Sequence, residues 1–230
     1  MKKVSVLGIH LWDVSVRESI RTMGHYFVNH KINVIYFLTT EALLEASAND
    51  EMRNYIESMD MTIPMTTDIL SAAKVTNRYR IKEVENRQFS KEMLEKLERE
   101  QATILLLSET KEQMEELHLK LSSRKRLRIV KSVVMEELTG GFDQAINEIN
   151  QESPQVLISQ LEMPRQEQFI YENRKRVNIK IWIAFPSGFT EKSEESVKQG
   201  KLRTLVARTL FKRIVSKYDK NQGEDGNDSS

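Results

Sequence analysis

Cysteine is absent from the chain, so no disulfide framework, thiolate metal site or cysteine nucleophile is available to it. Histidine is scarce. His10, His25, His30 and His118 are the four present, none spaced as an H-x-x-x-H pair, which argues against a zinc hydrolase. Only 8 of 230 residues are glycine. That shortage bears on function, because α/β folds that hold nucleotides use glycine where backbone must approach phosphate. No apolar run reaches the roughly 20 residues a bilayer-spanning helix needs. The start, Met-Lys-Lys-Val-Ser-Val, lacks the apolar core of a secretory leader, so the expected compartment is the cytosol. Charge is plentiful but balanced, with 35 Lys and Arg against 34 Asp and Glu, so no global field selects nucleic acid or acidic substrates.

What is present is an alternation of short apolar runs with helical patterns, over a length sufficient for one α/β core. The most informative stretch runs from Ser153 to Phe189. Two apolar runs, Gln155–Ser159 and Ile179–Phe185, flank a polar segment headed by Pro164-Arg165-Gln166-Glu167. The spacing predicts strand, loop, helix over Gln166–Arg176, and strand: a βαβ unit whose loop lies at the carboxyl end of a strand, where open α/β sheets bind ligands. Further strands are expected at Val4–Ile9, Val34–Leu38, near Met61–Pro64, Thr103–Leu107 and Ile129–Val134. Helices are expected over Val14–Val28, Glu41–Ser47 continuing through Asp50–Ser58, Asp68–Val75, Ser90–Gln101, Thr110–Leu121 (opened by a Thr110–Gln113 capping box) and Asp143–Gln151. Arg78–Phe89 reads as charged and irregular.

The order P-R-Q-E-x-F-I-x-E-N-R over Pro164–Arg174, followed by an apolar strand and Gly188-Phe189, resembles the WecG/TagA/CpsF glycosyltransferases. The resemblance extends in patches to Tyr218 and takes in Gly8, Glu41, Pro64, Val84 and Gly141-Phe142. It implies a Rossmann-like α/β fold, a mostly parallel sheet flanked by helices in two lobes, with a C-terminal amphipathic helical appendage. It also implies transfer of N-acetylmannosamine or a related sugar from UDP to a lipid-linked acceptor. On this basis residues 1–89 would form the acceptor half and 90–190 the nucleotide half. Residues 191–218 would form the appendage and 219–230 a disordered tail.

The positions that carry chemistry in the family depart from its pattern here. Met65 stands on the aspartate of the P-D-G motif, the family's proposed catalytic base, and a thioether takes no proton at useful pH. Asp68 is the nearby carboxylate; capping of the following helix is favoured over a substitute base. Ser108-Glu109 replaces Gly-Gly, and the glutamate would repel a diphosphate. Gln160 and Glu162 replace both glycines of G-x-G. Arg165, Gln166 and Glu167 keep the nucleotide-side motif, leaving two readings of Gln166: a nucleotide contact, or a polar residue in a first helical turn. UDP-sugar binding is therefore disfavoured, and no cofactor or metal is expected. The leading expectation is a family member without transferase activity, serving as partner or scaffold for an active relative. The alternatives are an active UDP-sugar transferase using Asp68 or Glu162 as base, and an α/β regulator without a sugar ligand.

Two basic features remain. Arg124–Arg128 could meet nucleic acid or phospholipid, but the near-zero net charge favours a solvated loop. In Val197–Tyr218, Leu202, Leu205, Val206, Leu210, Ile214 and Val215 share an apolar face with Lys201, Arg203, Arg208, Lys212 and Arg213 around it. Coincidence of charge and apolar face favours a membrane-surface or acceptor-side element, at the inner face of the cell membrane, over a helix packed on its own domain. The family's oligomers make self-association an expectation, with no symmetry fixed.

Overall fold

The structure, a computed structural model, describes residues 2–122, 124–187 and 208–220. Expectations for Gly188–Thr190, Lys201, Arg203 and the tail 221–230 lie outside the described residues.

The chain opens with an antiparallel hairpin, β1 (Lys2–Val6) and β2 (Ile9–Asp13), separate from the main sheet. This corrects the single strand expected over Val4–Ile9. Leu7 and Gly8 take φ of 52° and 79°, the doubly left-handed conformation that reverses a two-residue hairpin. A Cβ on Gly8 would also stand 3.0 Å from the Tyr218 hydroxyl.

Helix α1 (Val16–Tyr26) follows, its start fixed by a capping box between Ser15 and Glu18. Then come β3 (Asn33–Leu38), α2 (Thr40–Ala48), α3 (Asp50–Glu57), β4 (Met61–Pro64) and α4 (Thr67–Ala72). Asn49 separates α2 from α3; it ends one helix in extended backbone and caps the other by accepting from Glu51 and Met52 amides. The segment read as irregular is a helix, α5 (Arg78–Glu85), because the Asn77 side chain accepts from the Tyr79 amide and starts it. Arg87 (φ 49°) then turns the chain into α6 (Gln88–Arg99). The remainder is β5 (Thr103–Ser108), α7 (Lys111–Leu121), β6 (Arg128–Val134), α8 (Gly141–Glu152), β7 (Val156–Gln160), α9 (Arg165–Asn173), β8 (Ile181–Ala184) and helical residues 208–220.

The main sheet has six strands in the order β4-β3-β8-β7-β5-β6, every pair parallel. The predicted βαβ unit is present as β7-α9-β8. Both faces of a parallel sheet are covered, so its inner strands are apolar on both sides. Val34, Tyr36 and Leu38 of β3 face one core with Trp182 and the helices α2, α3, α8 and α9. Ile35 and Phe37 face the other, with α1, α6 and α7. The sheet spans the proposed 89/90 boundary, since β3 pairs directly with β8.

In the basic loop before β6, Arg124 reaches Glu95 and Glu98 of α6 at 3.3 and 3.6 Å. Lys125, Arg126 and Arg128 of the same cluster are exposed.

Candidate active site at the carboxyl ends of the strands

Parallel strands end together, so β3, β4, β5, β7 and β8 bring Thr39, Met65, Glu109, Gln160 and Phe185 to one edge of the sheet. Met65 is held there by backbone pairing: its amide donates to the Leu38 carbonyl at 3.0 Å, carrying the β3–β4 ladder one residue past Pro64. Its side chain is partly buried against the Ile35–Phe37 face. It lines an open cleft together with Val14, Val16, Phe37, Ile63, Val84, Phe89, Arg80, Glu83 and Arg87.

Glu83 is the one carboxylate among the described lining residues. It accepts from the Val16 amide at 3.2 Å and from the Arg80 guanidinium, which also donates to Asp13 at 3.3 Å. Both oxygens of this carboxylate thus already accept hydrogen bonds from within the domain. Sequence reading passed over Arg80 and Glu83 by treating their segment as irregular. The signal available was spacing: Arg80, Glu83, Val84 and Arg87 recur at i, i+3, i+4 and i+7, one helical stripe.

At the end of β7, Gln166 is buried and both ends of its amide are engaged. Its Oε1 accepts from the Ser159 hydroxyl at 3.0 Å and the Leu161 amide at 3.1 Å; its Nε2 donates to the Phe185 carbonyl at 2.8 Å. Gln166 thus ties the end of β7 to the end of β8. Of its two sequence readings, the geometry supplies the internal, structural one. Glu167 is 2% exposed and accepts from the Tyr36 hydroxyl at 2.6 Å. Burial raises the Glu167 carboxyl above its ordinary value, with the Tyr36 hydrogen bond acting in the opposite direction. Burial, then the nearby Glu167 charge, pushes the Tyr36 phenol well up.

Arg165 pairs with Glu109, the residue standing at the family's Gly-Gly, and lies 4.8 Å from the Phe142 ring centroid. The acid at the end of β5 is thus paired with the cation at the start of α9. Gln160 fills the place of the first glycine of G-x-G with a wholly buried side chain; its amide has no partner among the described residues. Glu162 is exposed.

Asp68 departs from the expected capping role. The N-cap of α4 is Thr66, and Asp68 points instead at the C-terminal helical residues. It is a buried carboxylate paired with Arg208, and with Lys212 at 3.4 Å. Two of the basic residues assigned to a membrane or acceptor surface thus face a carboxylate of their own domain. The apolar side of residues 208–220 docks as well: Phe211 is fully buried, and Ile214 and Val215 pack on the Trp182-side core. Arg213 and Leu210 remain exposed.

Among the described residues no group of three or more His, Cys, Asp or Glu is placed to hold a metal ion. None of the described helices is long and apolar enough to cross a membrane.

A parallel, doubly covered sheet with polar side chains gathered at its carboxyl edge defines a Rossmann-like α/β protein, and open α/β sheets bind ligands at that edge. The chain matches the Glycosyl transferase WecG/TagA/CpsF family over residues 4–195 and belongs to that family. No curated protein matches it.

Proposed function

We propose that this chain is a WecG/TagA/CpsF-family protein of cell-surface glycan synthesis that has lost transferase chemistry and acts as partner or scaffold for an active relative. The observation that carries the reading is the pairing of Met65 with an occupied Glu83 at the cleft. The position that would activate an acceptor hydroxyl is a thioether, and the carboxylate beside it is already held by an amide and a guanidinium. The nucleotide side supports the same reading. Gln166 is engaged internally, Arg165 is neutralised by Glu109, and Gln160 occupies space a glycine would leave open. A place at the inner face of the cell membrane fits the exposed Arg213 and Leu210 and the further basic residues Lys201 and Arg203 in sequence.

Glu83 also supports one competing reading, an active UDP-sugar transferase with a non-standard base, because it is a carboxylate at the cleft. The experiment is transfer from a radiolabelled UDP-sugar to a lipid-linked acceptor by the purified chain. No transfer is expected. Transfer that Glu83→Gln abolishes would establish the active reading with Glu83 as base. Transfer that survives Glu83→Gln, Asp68→Asn and Glu162→Gln would remove every carboxylate named here. The membrane element is tested by liposome sedimentation: loss of residues 198–230 should abolish binding to anionic vesicles, and unchanged sedimentation would refute it.

A further inference from the structure

We propose that the pocket between the N-terminal hairpin and the edge strand β4 binds a neutral polyhydroxylated ring, a pyranoside. The site lies outside the Met65 cleft and does not depend on the functional reading above.

The hairpin register builds one polar face. Residues directly opposite in an antiparallel pair share a face, and faces alternate along each strand. Lys3 pairs with Trp12 and Ser5 with His10, so Lys3, Trp12 and His10 stand together. Val6, Ile9 and Leu11 belong to the core instead. The same alternation acts on β4. Met61 and Ile63 join the core on one face of the sheet, and Thr62, in register with Tyr36, takes the other. Lys3, His10, Trp12 and Thr62, with Glu57 and Met59, line a cavity of about 150 Å³. A cavity of that size holds one six-membered ring.

Its polar groups are already set in place. Glu57 Oε1 accepts from the His10 main-chain amide at 3.1 Å, and the His10 Nδ1 lies 3.3 Å from the same oxygen. The second Glu57 oxygen and the second ring nitrogen have no partner among the described residues. The Lys3 ammonium lies 4.7 Å from the Trp12 ring centroid, a contact that restrains its flexible stem. Thr62 is 4% exposed, and its hydroxyl has no hydrogen-bond partner among the described residues. A hydroxyl buried without a partner is costly, so this one calls for water or a ligand group.

Charge and hydrogen bonding select the ligand's class. The Lys3 ammonium stands against the Glu57 carboxylate, so their fields largely cancel for an incoming ion of either sign. Around the wall Lys3 donates, Glu57 accepts, and Thr62 and the His10 ring can do either. A hydroxyl also does both, and a sugar presents several on one ring. Met59 and the Trp12 ring supply apolar surface for its C–H groups. A site for a single ring is weak, with a dissociation constant of about 1–10 mM.

The test titrates the full chain with the methyl α-pyranosides of glucose, galactose and mannose and follows tryptophan emission. The chain has two tryptophans, and Trp182 is wholly buried, so a change reports Trp12. A saturable change with at least one pyranoside is expected. Thr62→Val keeps the branched shape and deletes the hydroxyl; Glu57→Gln removes the charge. Circular dichroism checks that each is folded, and weakening by about fivefold or more in either folded variant supports the site. A measurement needing no variant runs alongside: the pyranoside should slow amide hydrogen exchange in β2 and leave α7 unchanged. No saturable change up to about 50 mM, a change that glycerol reproduces, or unchanged affinity in both folded variants would each overturn the proposal. So would unaltered exchange in β2, or inorganic phosphate binding there more tightly than any pyranoside. Sugar transfer in the assay above neither requires this binding nor follows from it, so the two readings fail separately.

Discussion

Replacing Gln166 by alanine separates a structural lock from a nucleotide contact. In the folded chain this side chain is the partner of the Leu161 amide and the Phe185 carbonyl, both buried. Truncation strands both, at about 1–3 kcal/mol each for a buried polar group left unsatisfied. The Ser159 hydroxyl is spared, because it still accepts from the Trp182 indole at 2.9 Å. Removing the buried side chain adds about 1 kcal/mol for the space left behind. The sum is roughly 3–7 kcal/mol, a large part of the roughly 5–15 kcal/mol that holds a typical domain folded. Equilibrium urea unfolding reads it directly: with a slope near 2 kcal/mol/M, the midpoint should fall by roughly 1.5–3.5 M. A fall under about 0.5 M with unchanged slope would refute the reasoning and return Gln166 to the pool of residues free to meet a ligand.

Other consequences are smaller. Tyr36→Phe removes the donor to Glu167 Oε1 and should cost about 1–3 kcal/mol by urea unfolding; no change would show that the carboxyl finds another partner. The pH dependence follows from the same pair. A carboxyl whose value is raised in the folded chain binds its proton more tightly there, so its contribution is complete below the ordinary glutamate range. It is lost as pH rises through the raised value. Glu167→Gln should flatten that part of the stability profile, and an unchanged profile would contradict the assignment. Asp68→Asn should free residues 208–220 and accelerate tryptic cleavage at Arg208, Lys212 and Arg213. The gain should be only about five- to tenfold, because Arg208 and Lys212 are 44% and 70% exposed and their pairing is screened. An unaltered cleavage rate would show that Phe211 alone holds the segment.

How much was legible depended on whether a feature is local. The β7-α9-β8 unit was readable because its strands are continuous apolar runs and its helix opens on Pro164. The start of α7 was readable because Thr110 caps the amide of Gln113 three residues on. The N-terminal hairpin was missed because Val4–Ile9 is apolar throughout and hides a reversal at Leu7-Gly8, one glycine being weak punctuation. Helix α5 was missed because its stripe mixes arginine and glutamate with valine, which reads as a charged loop until the cleft beneath it is seen. Long-range pairings were illegible in principle. Nothing near Asp68 announces Arg208, 140 positions away, and the encounter of Glu109 with Arg165 exists only because β5 and β7 are neighbours. At the site, the sequence showed which glycines and which acid were replaced; only the fold showed that Gln166 is held by Ser159, Leu161 and Phe185 and Arg165 by Glu109.

The central claim is that Gln166 and Arg165, the two motif residues at this edge of the sheet, are held by their own domain and are not left for a donor nucleotide. Titration of UDP into the unaltered chain, followed by calorimetry, tests it most directly. The account predicts no saturable heat at concentrations up to about 1 mM. A dissociation constant in the micromolar range, weakened by Arg165→Ala, would contradict it.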